Sequence, residues 1–134
     1  MRYHDFHLEG YAVTNFGSEI VLDLVRNYSK PLPERSRIHF SDVATYHFIH
    51  TGNTIITEIT ETSLSDLLAK YGDQLAEWWR LYGGILHWKD DRAGYIETLQ
   101  QKGYSAWTIH SAIGFEGFVI ARAIGSSPSL SDLA

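Results

Sequence analysis

A chain of 134 residues with 44% hydrophobic content fits one domain with its own core. Domains cluster at about 100–150 residues, and a chain of this size buries roughly two-thirds of its unfolded surface. The absence of cysteine excludes disulfides, thiolate nucleophiles and cysteine-based zinc or iron–sulfur sites, while a net charge of −5 argues against a nucleic-acid footprint and suits solubility or a basic partner.

The first residues, MRYHDFHLEGYAV, hold no unbroken apolar stretch of signal-peptide length, because Asp5 and Glu9 interrupt it. No apolar run approaches the roughly 18–20 residues needed to span a membrane. The expectation is a soluble, cytoplasmic protein without membrane contact.

Residues 4–13 alternate loosely, with Phe6 and Leu8 on one face and His7, Glu9 and Tyr11 on the other. Asn15-Phe16-Gly17 reads as a turn. Residues 18–27 place Ile20, Leu22 and Leu24 on one side and Val21, Asp23 and Val25 on the other, so the two runs predict a hairpin. Pro31 and Pro33 make residues 28–34 a loop, since neither serves a central ladder. Residues 35–42 alternate cleanly, with Ile38 and Phe40 inward and Arg37, His39 and Ser41 outward. The β-rich run 43–51 is expected to turn at Gly52-Asn53 into residues 54–60, which gives a meander of five antiparallel strands.

Residues 63–84 carry the strongest pattern. Leu64, Leu67, Leu68, Tyr71, Leu75, Trp78, Trp79 and Tyr82 recur at three- and four-residue steps and fall within an arc of about 120°, the stripe of a helix lying on a core. Ser63 with Asp66 caps its start, and Gly83-Gly84 supplies the stop. Gly72 lies inside, at a cost of about 1 kcal/mol relative to Ala, and marks a point where the helix can kink. Trp78, well within the stripe, is expected in the core; Trp79, at its edge, is expected to be partly exposed.

After a short apolar piece at residues 85–88, Asp90 or Asp91 caps a second helix over residues 92–102 that buries Tyr95, Ile96 and Leu99 and ends at Gly103. Strand-like runs follow at 104–111 and 115–124, with Gly114 and Gly117 bracketing the turn between them. Residues 125–134 are small and polar, as in a flexible tail. The order of strands, helix, helix, strands predicts an α+β fold: one domain over residues 1–124, an antiparallel sheet of about five to seven strands packed by one long amphipathic helix and a shorter one.

Chemistry-bearing motifs are scarce. Seven histidines include His4-x-x-His7 and His47-x-x-His50, but residues three apart on a strand point to opposite faces. His39, His47 and His50 with Glu58 is the set a metal would need across strands, and its local spacing does not meet that need. No metal or other cofactor is therefore assigned. There is no G-x-S-x-G elbow, Asp90-Asp91 has the placement of capping residues, and neither Gly83-Gly84 nor the 114–117 segment matches a phosphate-cradling loop. No residue is assigned a catalytic role.

Charge and aromatic placement say more. Residues 58–77 hold five acids (Glu58, Glu61, Asp66, Asp73, Glu77) and one base, Lys70. Asp66, Asp73 and Glu77 lie opposite the apolar stripe, while Arg26, Lys30, Arg35 and Arg37 gather around the proline loop, tempered by Asp23 and Glu34. Four tryptophans and eight tyrosines are generous for this length, and both types are enriched at interface hot spots. The expected function is a small acidic protein-binding or adaptor domain acting through Asp66, Asp73, Glu77 and Trp79. One version neutralises a basic toxin or nuclease by mimicking its anionic substrate. The alternative is a small-molecule pocket, or a histidine-dependent enzyme, with its site between helix and sheet. A deep apolar pocket with convergent histidines would favour the alternative; a filled core beneath an acidic surface favours binding. Homo-oligomerisation is compatible with the sequence but not specified by it.

Overall fold

The computed structural model describes residues 5–26, 32–82 and 91–127, apart from the side chains of Thr57, Trp79 and Tyr82. In chain order these form β1 (Phe6–Thr14), β2 (Glu19–Arg26), β3 (Glu34–Thr62), α1 (Leu64–Tyr82), α2 (Arg92–Gln101) and β4 (Ser105–Ser127). The fold is α+β, a single antiparallel sheet in the order β1-β2-β3-β4 with both helices inserted before its last strand. The loop residues 27–31, the apolar piece and first aspartate of 83–90, the start of the chain and the polar residues 128–134 lie outside the described residues.

The first hairpin forms as its alternation dictates. Leu8 pairs with Leu24 and Val13 with Ile20, and the chain reverses at Asn15–Gly17. Beyond it the strand runs are all extended, but they are joined differently from the expectation. The runs at 35–42, 43–51 and 54–60 are one strand, β3, and those at 104–111 and 115–124 are one strand, β4. Seven runs thus make four strands, and neither Gly52-Asn53 nor Gly114 reverses the chain.

The reason lies in where those glycines meet. His50 pairs with Phe115 and Ile55 with Ile113, so residues 51–54 stand opposite Gly114 alone. Extra residues on one strand bend a ladder without ending it. Gly114 has φ 83°, and a Cβ there would run into the carbonyl oxygens of Gly52 and Asn53. The Thr54 hydroxyl, buried at the bend, donates to the Gly52 carbonyl at 2.9 Å. Glycine at 114 answers both to its φ and to this close approach.

Once bent, the β3–β4 ribbon returns to β1. His7 pairs with Val25 of β2 on one edge and with Ile55 of β3 on the other, which closes a circuit of strands. Inside it lie Phe6, Leu22, Leu24, Ile38, Phe40, Ile56 and Trp107, all buried. β4 serves two cores by simple alternation. Trp107, Ile109, Val119 and Ala121 face the circuit, while Ala106, Phe118 and Ile120 face the helices.

On that second face α1 lays down Leu64, Leu67, Leu68, Tyr71 and Leu75, joined by Leu99 of α2. The Ser63 hydroxyl accepts from the Asp66 amide at 3.0 Å and caps α1; Asp91 accepts from the Gly94 amide at 2.9 Å and caps α2. Helix α1 runs through Gly72 without interruption. The Arg92 guanidinium carbon lies 2.7 Å from where a Cβ of residue 72 would be, and that arginine donates to Asp73 at 2.9 Å. The glycine thus lets the first residue of α2 cross over α1.

The arginines near the proline loop do not form a bare basic patch. Arg26 pairs with Glu34, Arg35 with Glu9, and Arg37 with Asp23 at 2.8 Å. Lys30 lies outside the described residues.

The bend makes a strong demand on Gly114. Substitution Gly114→Ala is expected to cost about 3 kcal/mol or more, combining a left-handed backbone with overpacking against backbone oxygens. Denaturant midpoints measure it. A stability equal to that of the parent would show that the ribbon does not make this contact.

Candidate functional site

The outer part of α1 departs from the expectation in one instructive way. Trp78 is not in the core; it is 47% exposed, and Leu81 beyond it is 57% exposed. The helical phase is right, since Leu64 to Leu75 are buried on the same stripe. What fails is the surface beneath. After Leu75 the core cluster under the helix ends, and the Trp78 ring meets the His47 ring edge-on, with centroids 5.0 Å apart and planes at 84°. The last turns of α1 therefore overhang the core.

Around this overhang the acids occupy the places that periodicity assigns them. Asp66 is exposed in the first turn, Asp73 is 97% exposed beside Arg92, and Glu77 is exposed beside Arg80, whose Nε donates to it at 3.0 Å. That hydrogen bond holds the Glu77 carboxyl below its usual range. Two of the three acids already have an internal cation, so the field here is weaker than a count of charges suggests. The Trp79 side chain lies outside the described residues.

Beneath Trp78 is a cluster that the sequence reading did not assemble. His47 is 9% exposed and its Nε2 has no hydrogen-bond partner among the described residues. Burial pushes its pKa down, and the nearby Glu116 carboxylate opposes this more weakly. Glu116 accepts from the Tyr71 hydroxyl at 2.8 Å and has the Lys70 ammonium at 3.7 Å. Burial first, and the bond to Glu116 second, push Tyr71 up to about 12. Register explains the meeting: His47 pairs with Phe118 and Ile49 with Glu116, so His47 and Glu116 are diagonal neighbours under α1.

The other candidate metal ligands scatter. His39 lies 3.5 Å from Glu19, and His50 packs on Tyr11 and Phe115 from the opposite face to His47. Among the described residues no three His, Asp or Glu side chains gather as a metal would require.

A second exposed feature lies at the β1–β2 turn. Asn15, Phe16 and Gly17 have φ of 52°, 59° and 88°. Hairpin turns of this hand favour Asn followed by Gly; here the second position is Phe, at a cost of roughly 1–2 kcal/mol for the left-handed backbone. The Phe16 ring is fully exposed. Facing it, Asp42 of β3 also has a positive φ, 52°, and the next amide, of Val43, donates to the Ser18 carbonyl at 2.9 Å. Between the turn and residues 43–46 is an open cleft of about 310 Å³.

Comparison with protein-family models, curated proteins and solved structures finds no match to this chain.

Two measurements check the geometry under α1. Phe118→Ala, at a fully buried site, is expected to cost about 3–5 kcal/mol, and Trp78→Ala only about 1–2 kcal/mol. Equal losses would mean that the helix end is packed down. For His47, the folded-state pKa lies below the unfolded value of 6.5. Its contribution to stability is therefore full above about pH 6.5 and is lost as pH falls through the lowered value. Chemical denaturation across this range should show that loss in the parent and a smaller one in His47→Gln. Identical profiles would place the histidine in solvent.

Proposed function

We propose that this protein is a small acidic protein-binding domain whose docking face is the outer half of α1. The observation that carries the reading is the half-exposed Trp78, followed one turn later by exposed Leu81 and rimmed by Asp73 and Glu77. An exposed aromatic beside an aliphatic residue, with a charged rim, is the anatomy of an interface anchor. The partner is a basic protein, of which a toxin or nuclease held inactive is one version. Asp66 extends the acidic side along the helix. Trp79 belongs to the same proposal as a second aromatic contact.

The charge and the anchor act at different stages. Acids at the rim steer encounter and weaken with salt; an aromatic anchor holds the complex after encounter. With a partner recovered from the source cells and purified, Asp73→Asn and Glu77→Gln are expected to lower the on-rate several-fold at low salt. Trp78→Ala is expected to raise the off-rate by tenfold or more, as for a hot spot. Stopped-flow kinetics separates the two. Unchanged rates in all three variants would make this face only a solvated one.

A second reading rests on His47, a buried imidazole with an unsatisfied Nε2 next to Glu116 and Tyr71. If Trp78 swings aside, a small polar ligand reaches that nitrogen, as in a pocket between helix and sheet. Ligand screening by the His47 imidazole resonances tests it, and loss of any hit in His47→Gln would support it.

A further inference from the structure

The β1–β2 turn and the kink of β3 that faces it carry an inference independent of α1. Three of the described non-glycine residues with positive φ gather here: Asn15 and Phe16 on the turn and Asp42 on β3. They are tied together by the hydrogen bond from the Val43 amide to the Ser18 carbonyl. Strained backbone persists only where the surroundings or a function hold it, and it concentrates at ligand clamps. Nothing in the fold rewards Phe16, since its ring is 107% exposed and touches no core. A glycine would relieve both the strain and the exposure.

The surroundings restrict what the ring meets. The cleft beside it is formed by residues 16–18 and 43–46, all uncharged. At about 310 Å³ it is at the lower end of small-ligand pockets, which run to roughly 1,000 Å³, and it is open. That form suits a side chain entering from a partner better than an enclosed molecule. Tyr46, 38% exposed and 5.4 Å from the Phe48 ring, continues the apolar surface on the far side. The charged residues flanking the cleft along the chain are both acids, Glu19 and Asp42. His39 lies against Glu19, while Asp42 is exposed. A surface of this sign disfavours anionic lipid and favours Lys and Arg.

We propose that the Phe16 turn and residues 42–46 form a docking site for a basic polypeptide segment bearing one large apolar side chain. The side chain fills the cleft and the Phe16 ring covers it. Asp42 and Glu19 face the flanking cations. Strain at Phe16 is then the cost of presenting an anchor already in its binding position, which spares ordering on association.

The test uses the whole chain and a five-residue peptide of four lysines around a central leucine. Two controls accompany it, one with glutamates in place of the lysines and one with serine in place of the leucine. In amide-resolved NMR titrations, the lysine–leucine peptide is expected to shift residues 16–18 and 43–46, and the controls to leave them unmoved. Phe16→Gly is expected to weaken binding by tenfold or more and at the same time to raise the melting temperature. Asp42→Asn, which keeps a residue tolerant of this backbone, should weaken it several-fold at low salt. Trp78→Ala should leave it unchanged, which separates this site from the α1 face.

Absence of shifts at the turn, or equal shifts with the glutamate peptide, would overturn the proposal while leaving the α1 reading standing. So would a lower melting temperature for Phe16→Gly, because the ring would then be structural. Shifts at residues 16–18 that grow with protein concentration alone would replace the basic segment by a second copy of the chain. Displacement of the peptide by phosphatidylserine vesicles that themselves shift the turn would assign the surface to membrane instead.

Discussion

The close approach of Gly114 to the carbonyls of Gly52 and Asn53 is the constraint on which the rest of the molecule depends. A straight strand of the 29 residues of β3 would run about 95 Å, several times the radius of a domain this size. The strand has to bend, and it can do so without losing its ladder only where its partner offers no side chain. Placing residues 51–54 against a single glycine meets that condition. Because the ribbon bends there, Ile55 and Ile56 reach Phe6 and His7, and the circuit of strands closes.

Closure has consequences for where the chain is exposed. β4 is buried on both faces at Phe118, Val119, Ile120 and Ala121, so it serves the strand circuit and the helices together. The helical face of the sheet accommodates α1 only as far as Leu75. Trp78 and Leu81 are left beyond it as apolar surface. At the other end of β3, the kink at Asp42 lifts residues 43–46 away from the β1–β2 turn and leaves the cleft beside Phe16. Both exposed aromatic features are thus products of the two places where β3 departs from a regular strand.

Much of this was legible in the sequence, within limits that have physical causes. Alternation assigns the faces of Leu22, Leu24, Ile38 and Phe40, and the three-residue spacing of His47 and His50 correctly sends them to opposite faces. The caps at Ser63 and Asp91 are local and were readable as such. The joins at Gly52-Asn53 and Gly114 were not, because a glycine with positive φ serves a hairpin turn and a bulge equally well. Only the strand lying opposite decides between them, and that is a long-range fact. Trp78 shows a different limit. Periodicity fixes which way a residue faces, but it carries no information on how far the surface it faces extends. The His47–Glu116–Tyr71 cluster was hidden for a third reason: its members are separated by up to 69 residues and meet only through the β3–β4 register.

The account rests on the ribbon being bent and closed, and cross-strand nuclear Overhauser contacts test that most directly. A bent, closed ribbon gives contacts from Phe6 and His7 to Ile56 and Ile55. It gives them together with His50 to Phe115 and Thr62 to Ala106 along the same β3–β4 ladder. If residues 43–51 instead show ladder contacts to residues 54–60, Gly52-Asn53 reverses the chain. The single long ribbon and both surfaces derived from it would then be wrong.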